Sequence, residues 1–238
     1  MAEEIRIQKA IANAGLMSRR AAEEAMVEGR VLVNGEPVVL GDRVDPSHDL
    51  LTLDGNPVPV SEGLETYLLN KPAGTISTAS DPQGRETVVD LIDTDKRIYP
   101  VGRLDADSEG LILVSNDGEL TNRVTHPSFG VTKEYLAEVE GEVGADAIDQ
   151  LVRGVSLDDG PARAEKASLV ERQRGRSLVG LVMVEGRNRE IRRMFEVVGH
   201  PVTRLVRTAI GGLSDRTLKP GEYRRLSASD IQRIWPRS

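Results

Sequence analysis

From Thr66 onward the apolar residues of this chain arrive in runs of strand length, "TYLLN", "GLILVSN", "KEYLAEVEG" and "SLVGLVMVEG", separated by Gly-, Asp- and Pro-containing turns. Runs this short have no face to offer a helical bundle. They pair as a mixed or antiparallel sheet with a few helices, so the fold class expected is α+β. One late segment breaks the pattern. In "NREIRRMFEVVGHP" the residues Ile191, Met194, Phe195 and Val198 fall at i, i+3, i+4 and i+7, while Arg189, Arg192, Arg193 and Glu196 fall outside that stripe. The spacing predicts an amphipathic helix that starts at Asn188 and stops at Gly199.

The first 60 residues read differently. Ile7, Ala10, Ile11 and Ala14 have helical spacing up to Gly15, and Ser18 is placed to cap a second helix that runs through Glu28 to Gly29. "RVLVNGEPVV" is a hairpin turning on Asn34-Gly35, with further extended pieces at 40–44 and 50–53. Pro57, Pro59, Ser61 and Gly63 then interrupt any regular element. A linker is expected there, with one small domain at 1–60 and a larger one at 65–238.

With no cysteine, a disulfide framework and thiolate metal sites are excluded. The segment "MAEEIRIQKAIANAG" has no apolar core of signal-peptide type, and no stretch approaches the ~20 apolar residues of a membrane span. The expectation is a cytoplasmic protein with no membrane partner. A net charge of -7 argues against nucleic acid, but the charge is uneven: Glu185 to Ser238 holds twelve Lys+Arg against six Asp+Glu. A basic surface on an acidic chain is an electrostatic footprint for phosphate.

The stretch "GRLDADSEGLILVSNDGEL" sets Asp105, Asp107 and Glu109 beside an apolar strand. Three carboxylates in five residues form a metal loop, a solvated turn, or the mouth of a site that uses one of them. As an EF-hand the segment fails, because position 12 is Asn116 and a strand follows the glycine where a helix should begin. No metal site is expected.

"VGRLDADSEGLILVSNDGELTNRVTHP" resembles the signature segment of the pseudouridine synthases of the RsuA/RluB type, which isomerise uridines in ribosomal RNA. "LLNKPAG", "KEYLAEV" and "EGRNREIRRMFEVVGHPVTRLVR" match further segments of that family in the same order. "IRIQKAIANAGLMSRRAAEEAMVEGRVLVNGEPV" is similar to an S4-type RNA-binding domain, a module these synthases commonly carry in front. The last motif block and "RGVSLDDGPARAEKASLV" look closer to the large-subunit branch than to the small-subunit branch.

The resemblance implies that Asp105 is the catalytic carboxylate, as nucleophile at the sugar or as base on its 2′ carbon. Either role needs the anion, which a nearby cation must hold, and the family match gives Arg192 that place. Read without the family, Arg192 would pair with Glu196 on a solvated helix face. Tyr135 would stack on the uracil and remove the C5 proton; period-2 alternation sets it on one strand face with Lys133, Ala137 and Val139. Arg103 would contact the flipped nucleotide or its vacated place, since reaching the sugar means extruding the base.

Lys71, Arg187, Arg189, Arg193, Arg204 and Arg207 would hold phosphates, with Ile191 and Met194 as apolar support for the pocket. In the first domain Lys9, Ser18, Arg19, Arg20, Arg30 and Asn34 match positions of RNA contact in the S4 family. The isomerisation has no net redox change or group transfer, so no cofactor is implied. The implied partner is ribosomal RNA or an assembly intermediate, and the implied state is a monomer. Two rivals remain at this point: a non-catalytic RNA-binding assembly factor that keeps the fold, and an Asp-dependent hydrolase or phosphotransferase. The second lacks a paired metal motif, a Walker sequence or a Ser-His-Asp arrangement.

Overall fold

The computed structural model describes residues 4–45, 48–58 and 63–235, and of the expected linker Pro59 and Ser61 lie outside the described residues. The chain divides into two compact units. One holds the residues up to Glu65 with 94–98 and 116–118, and the other holds the rest.

The first unit runs β1 (Ile5–Arg6), α1 (Ile7–Asn13), α2 (Arg19–Val27), β2 (Val31–Val33), β3 (Glu36–Pro37), β4 (Arg43–Val44), β5 (Leu51–Leu53) and β6 (Asn56–Pro57). The Ser18 side chain accepts a hydrogen bond from the Ala21 N–H and caps α2, as its sequence position predicts. Asn34 and Gly35 have φ of 54° and 86°, the positive pair that a two-residue hairpin needs to match strand twist. Four strands pair in the order β3-β2-β5-β6. Ile7, Ile11, Ala22, Met26, Val31 and Leu51 bury their side chains in one core.

The second unit is a nine-stranded mixed sheet. Its strands are β7 (Thr66–Lys71), β8 (Tyr99–Val101), β9 (Glu109–Ser115), β10 (Lys133–Glu140), β13 (Lys166–Gln173), β14 (Arg176–Met183), β15 (Val202–Ile210), β16 (Leu213–Ser214) and β17 (Tyr223–Arg225). A small hairpin, β11 (Val155–Leu157) with β12 (Gly160–Ala162), stands apart. The helices are α3 (Gly118–Thr125), α4 (Ala145–Arg153), α5 (Glu190–Val197) and α6 (Ala228–Arg233). The main order is β13-β14-β10-β15-β9-β7-β17, with β8 beside β9 and β16 beside β15. The α+β expectation holds.

Strand pairs of this sheet are antiparallel except β9 with β15, where Val206 faces Glu109 and Arg207 faces Gly110. The backbones come close here. Gly110 has φ of +105°, and a Cβ added to it would overlap the backbone nitrogen and carbonyl of Arg207.

The amphipathic helix forms as α5, with Ile191, Met194 and Phe195 buried and Gly199 just beyond its end at φ +81°. Its start differs from the expectation. Arg189 occupies the cap position at φ 47°, not Asn188, and no side chain caps the helix. The loop is held from inside: Glu190 accepts from the Arg187 backbone N–H at 3.0 Å and from Arg187 Nε at 3.1 Å. The carboxylate in the first turn thus fixes the loop that leads into the helix and places a negative charge at its N-terminus.

A Gly110→Ala variant should lose about 3 kcal/mol or more, since it combines left-handed backbone strain with overlap against β15. Urea unfolding of the variant beside the parent protein checks this.

Candidate active site

The turn between β8 and β9 carries Asp105 and Asp107, and β9 opens on Glu109. Three carboxylates this close repel one another, and the surrounding elements answer with cations. Lys71, at the end of β7, is fully buried, and its Nζ donates to the carbonyl oxygens of Pro72 at 2.9 Å, Ala106 at 3.3 Å and Ser108 at 2.8 Å. Burial pushes the Lys71 ammonium down to about 8, against the opposing pull of Asp107, Asp105 and Glu109. All three of its donors are used inside the fold. The expectation that Lys71 holds a phosphate is therefore corrected: it anchors the acidic turn from beneath.

Asp107 takes two arginines from α5 and its approach, Arg189 at 3.1 Å and Arg192 at 3.3 Å. Arg192 is 6% exposed and also donates to the carbonyls of Asp107 and Val202, each at 3.1 Å. The solvated pairing with Glu196 is excluded by that burial. Its ion pair falls on Asp107 and not on Asp105, because Asp107 is the turn residue that α5 reaches. Glu109 pairs with Arg204 at 2.8 Å, and that bond holds the Glu109 carboxyl below its usual range. Among the described residues the Asp105 side chain makes no hydrogen bond or ion pair, while its carbonyl accepts from the Ser108 N–H at 3.0 Å.

That unpaired carboxylate opens on a cleft whose walls include Arg103, Asp105, Tyr135, Arg187, Arg189 and Ile191. Tyr135 is 9% exposed on β10, in register with Leu181 on one side and Arg207 on the other. Its hydroxyl lies 3.5 Å from Arg207 Nη1, and Arg207 itself donates through Nε to the Leu111 carbonyl at 2.6 Å. Arg103 is exposed at the cleft mouth.

The other expected residues divide. Arg187 lines the cleft, but its guanidinium is committed to Glu190, Asp159 and the Pro161 carbonyl. Arg193 pairs with Asp159 at 2.9 Å. Arg207 is 5% exposed, so like Lys71 it is no open surface cation. Ile191 lies on the cleft wall, whereas Met194 is wholly buried and is not part of it. In the first unit Arg30 pairs with Asp54 and Glu28, and Asn34 bridges Asp49 and the Leu50 N–H, so both brace the hairpin. Ser18 caps α2. Arg19 and Arg20 are exposed there without an ion pair among the described residues, and Lys9 is half-buried on α1.

The sequence reading gave no place at the site to Ser108, whose carbonyl takes Lys71. It set Lys133 on one strand face with Tyr135 but gave it no role at the site.

The family model for RNA pseudouridylate synthase matches residues 65–197, and that for the S4 domain matches residues 5–50. An uncharacterized RNA pseudouridine synthase of Mycobacterium leprae is 46% identical over 236 residues, covering 97% of this chain and 92% of that protein. Ribosomal large subunit pseudouridine synthase B of Bacillus subtilis is 42% identical over 234 residues, covering 96% and 95%. A crystal structure of a pseudouridylate synthase superposes with a TM-score of 0.68 at 29% identity, covering 97% of this chain and 99% of that one. The chain belongs to the RNA pseudouridylate synthase family and carries an S4 domain ahead of the synthase segment.

Replacing Lys71 with Met should cost about 1–3 kcal/mol, because buried carbonyls lose their donor and three carboxylates lose a cation. Thermal and urea unfolding of Lys71→Met measure it; a variant as stable as the parent would contradict the anchoring role.

Proposed function

We propose that this chain converts a specific uridine of large-subunit ribosomal RNA to pseudouridine, with Asp105 as the working carboxylate. The observation that carries this reading is the sharing of one cleft by Tyr135 and the one carboxylate of the acidic turn that no cation has claimed. The bond from uracil N1 to C1′ breaks, the base rotates, C5 bonds to C1′, and the proton leaves C5 while N1 gains one. Asp105 acts at the sugar, as nucleophile at C1′ or as base at C2′. Tyr135 stacks on the base and takes the C5 proton. Arg103 enters the stack where the nucleotide was extruded.

Arg192 serves as a positioning residue in this scheme. With Arg189 it fixes Asp107, and so the turn that aims Asp105. Residues 65–238 form the catalytic domain and residues 1–60 the RNA-binding domain, with Arg19, Arg20 and Lys9 as its phosphate contacts. The large-subunit assignment rests on relatives such as the Bacillus subtilis enzyme. Among the described residues no helix is long and apolar enough to cross a membrane, and a cytoplasmic monomer acting on ribosomal RNA or an assembly intermediate fits this reading.

Asp105→Ala should lower pseudouridine formation by roughly 10²–10⁴-fold, and its melting temperature should hold because no side-chain bond is lost. Carbodiimide mapping with primer extension reads this on ribosomal RNA from a deletion strain complemented with parent or variant. Restoration of the mark by Asp105→Ala would remove Asp105 from the chemistry.

A further inference from the structure

Two cations, the half-buried Lys133 and the buried Arg207, are left over once the acidic turn has been satisfied. Lys133 and Arg207 share a second cleft with Tyr135, Arg103 and Thr125, which adjoins the first one and has Arg103, Tyr135, Glu185 and Gly186 in common with it. Neither makes an ion pair among the described residues. Lys133 Nζ has one acceptor, the Val124 carbonyl at 3.2 Å, against three for Lys71. Arg207 is 95% buried by complement of its 5% exposure, and its Nη2 has no partner at all. Burial and the neighbouring guanidinium push the Lys133 ammonium down to about 8, and no carboxylate opposes that push. The one acidic lining residue, Glu185, has a side chain 59% exposed and lies 3.8 Å from Arg187.

Two like charges held together without a counter-ion cost free energy that an incoming anion would return. RNA brings its anions as backbone phosphates, spaced along the strand whose uridine must enter the Asp105 cleft. We propose that the second cleft is a phosphate seat for the strand flanking the target uridine, with Lys133 Nζ as its donor and the buried, unpaired Arg207 guanidinium adding positive charge to its wall. The proposal rests on the synthase reading above. Seating that phosphate holds the strand at the cleft equally in the ground and transition states, so Lys133 is a binding residue.

The test uses Lys133→Gln and Lys133→Arg, because truncating the buried Arg207 risks the fold. Binding of full-length protein to poly(U) is measured over a salt series, since every nucleotide of that probe can fill the site. Turnover is measured separately on a large-subunit rRNA transcript. The Gln variant should flatten the slope of log affinity against log salt by about 0.7, the loss of one single-strand phosphate contact. It should raise KM about tenfold or more with kcat nearly unchanged, as removal of a charge-assisted hydrogen bond predicts. The Arg variant should restore both. An unchanged slope overturns the proposal, and so does a loss confined to kcat, which would place Lys133 at the base instead of the backbone. If the parent protein forms no pseudouridine in the transcript, the substrate reading fails, while the poly(U) comparison still decides the phosphate seat.

Discussion

The site depends on how the repulsion inside the acidic turn is relieved. Three carboxylates in five residues would splay the turn or take up protons if nothing answered them. Three elements answer: Lys71 from the end of β7, Arg189 and Arg192 from the α5 segment, and Arg204 from β15. The ion pairs go to Asp107 and Glu109. Asp105 gets the benefit of a rigid frame without losing its carboxylate to a bond, which is what its proposed role toward the substrate requires. Arg189 and Asp107 are both about half exposed, so their pair contributes little to stability; its value lies in direction.

The rest of the geometry follows from a single parallel contact. β9 meets β15 with Gly110 opposite Arg207, and β15 meets β10 with Arg207 opposite Tyr135. The carboxylate turn, the buried guanidinium and the aromatic ring are therefore linked across adjacent strands of one sheet. Strand backbones hold such positions more tightly than loops do. Gly110 is the residue that permits the arrangement, because only a missing Cβ lets the two backbones approach so closely at positive φ.

Much of this was legible in the sequence because it is local. Period-2 alternation placed Tyr135 and Lys133 on one face, Asn34-Gly35 specified its turn, and the stripe from Ile191 to Val198 specified α5. What escaped was non-local. Nothing in "LLNKPAG" says that Lys71 Nζ will reach carbonyls more than thirty residues away, or that Arg192 will be buried and not solvated. The start of α5 was misjudged for a related reason: a capping Asn is a strong local signal, yet Glu190 binding Arg187 satisfied the loop another way. Sequence spacing shows which residues share an element, whereas ion pairs are decided by which elements meet.

That distinction changes what the basic count near the end of the chain means. Arg187, Arg193, Arg204 and Arg224 are paired to acids within the fold, and Arg192 and Arg207 are buried. Among the described residues the excess of cations after Glu185 is thus largely internal wiring, and the acidic chain, of net charge -7, gains no broad basic face from them. Long-range attraction to RNA is correspondingly small, and salt screens what net repulsion exists beyond about 10 Å at 0.1 M. On the proposed function, binding then comes from a few cations at contact range: Lys133 in the second cleft, and Arg103, Arg19 and Arg20, which are exposed without ion pairs among the described residues. On the same proposed function, a protein arranged this way gains little from nonspecific RNA, so its selectivity is set where a strand can enter the cleft itself.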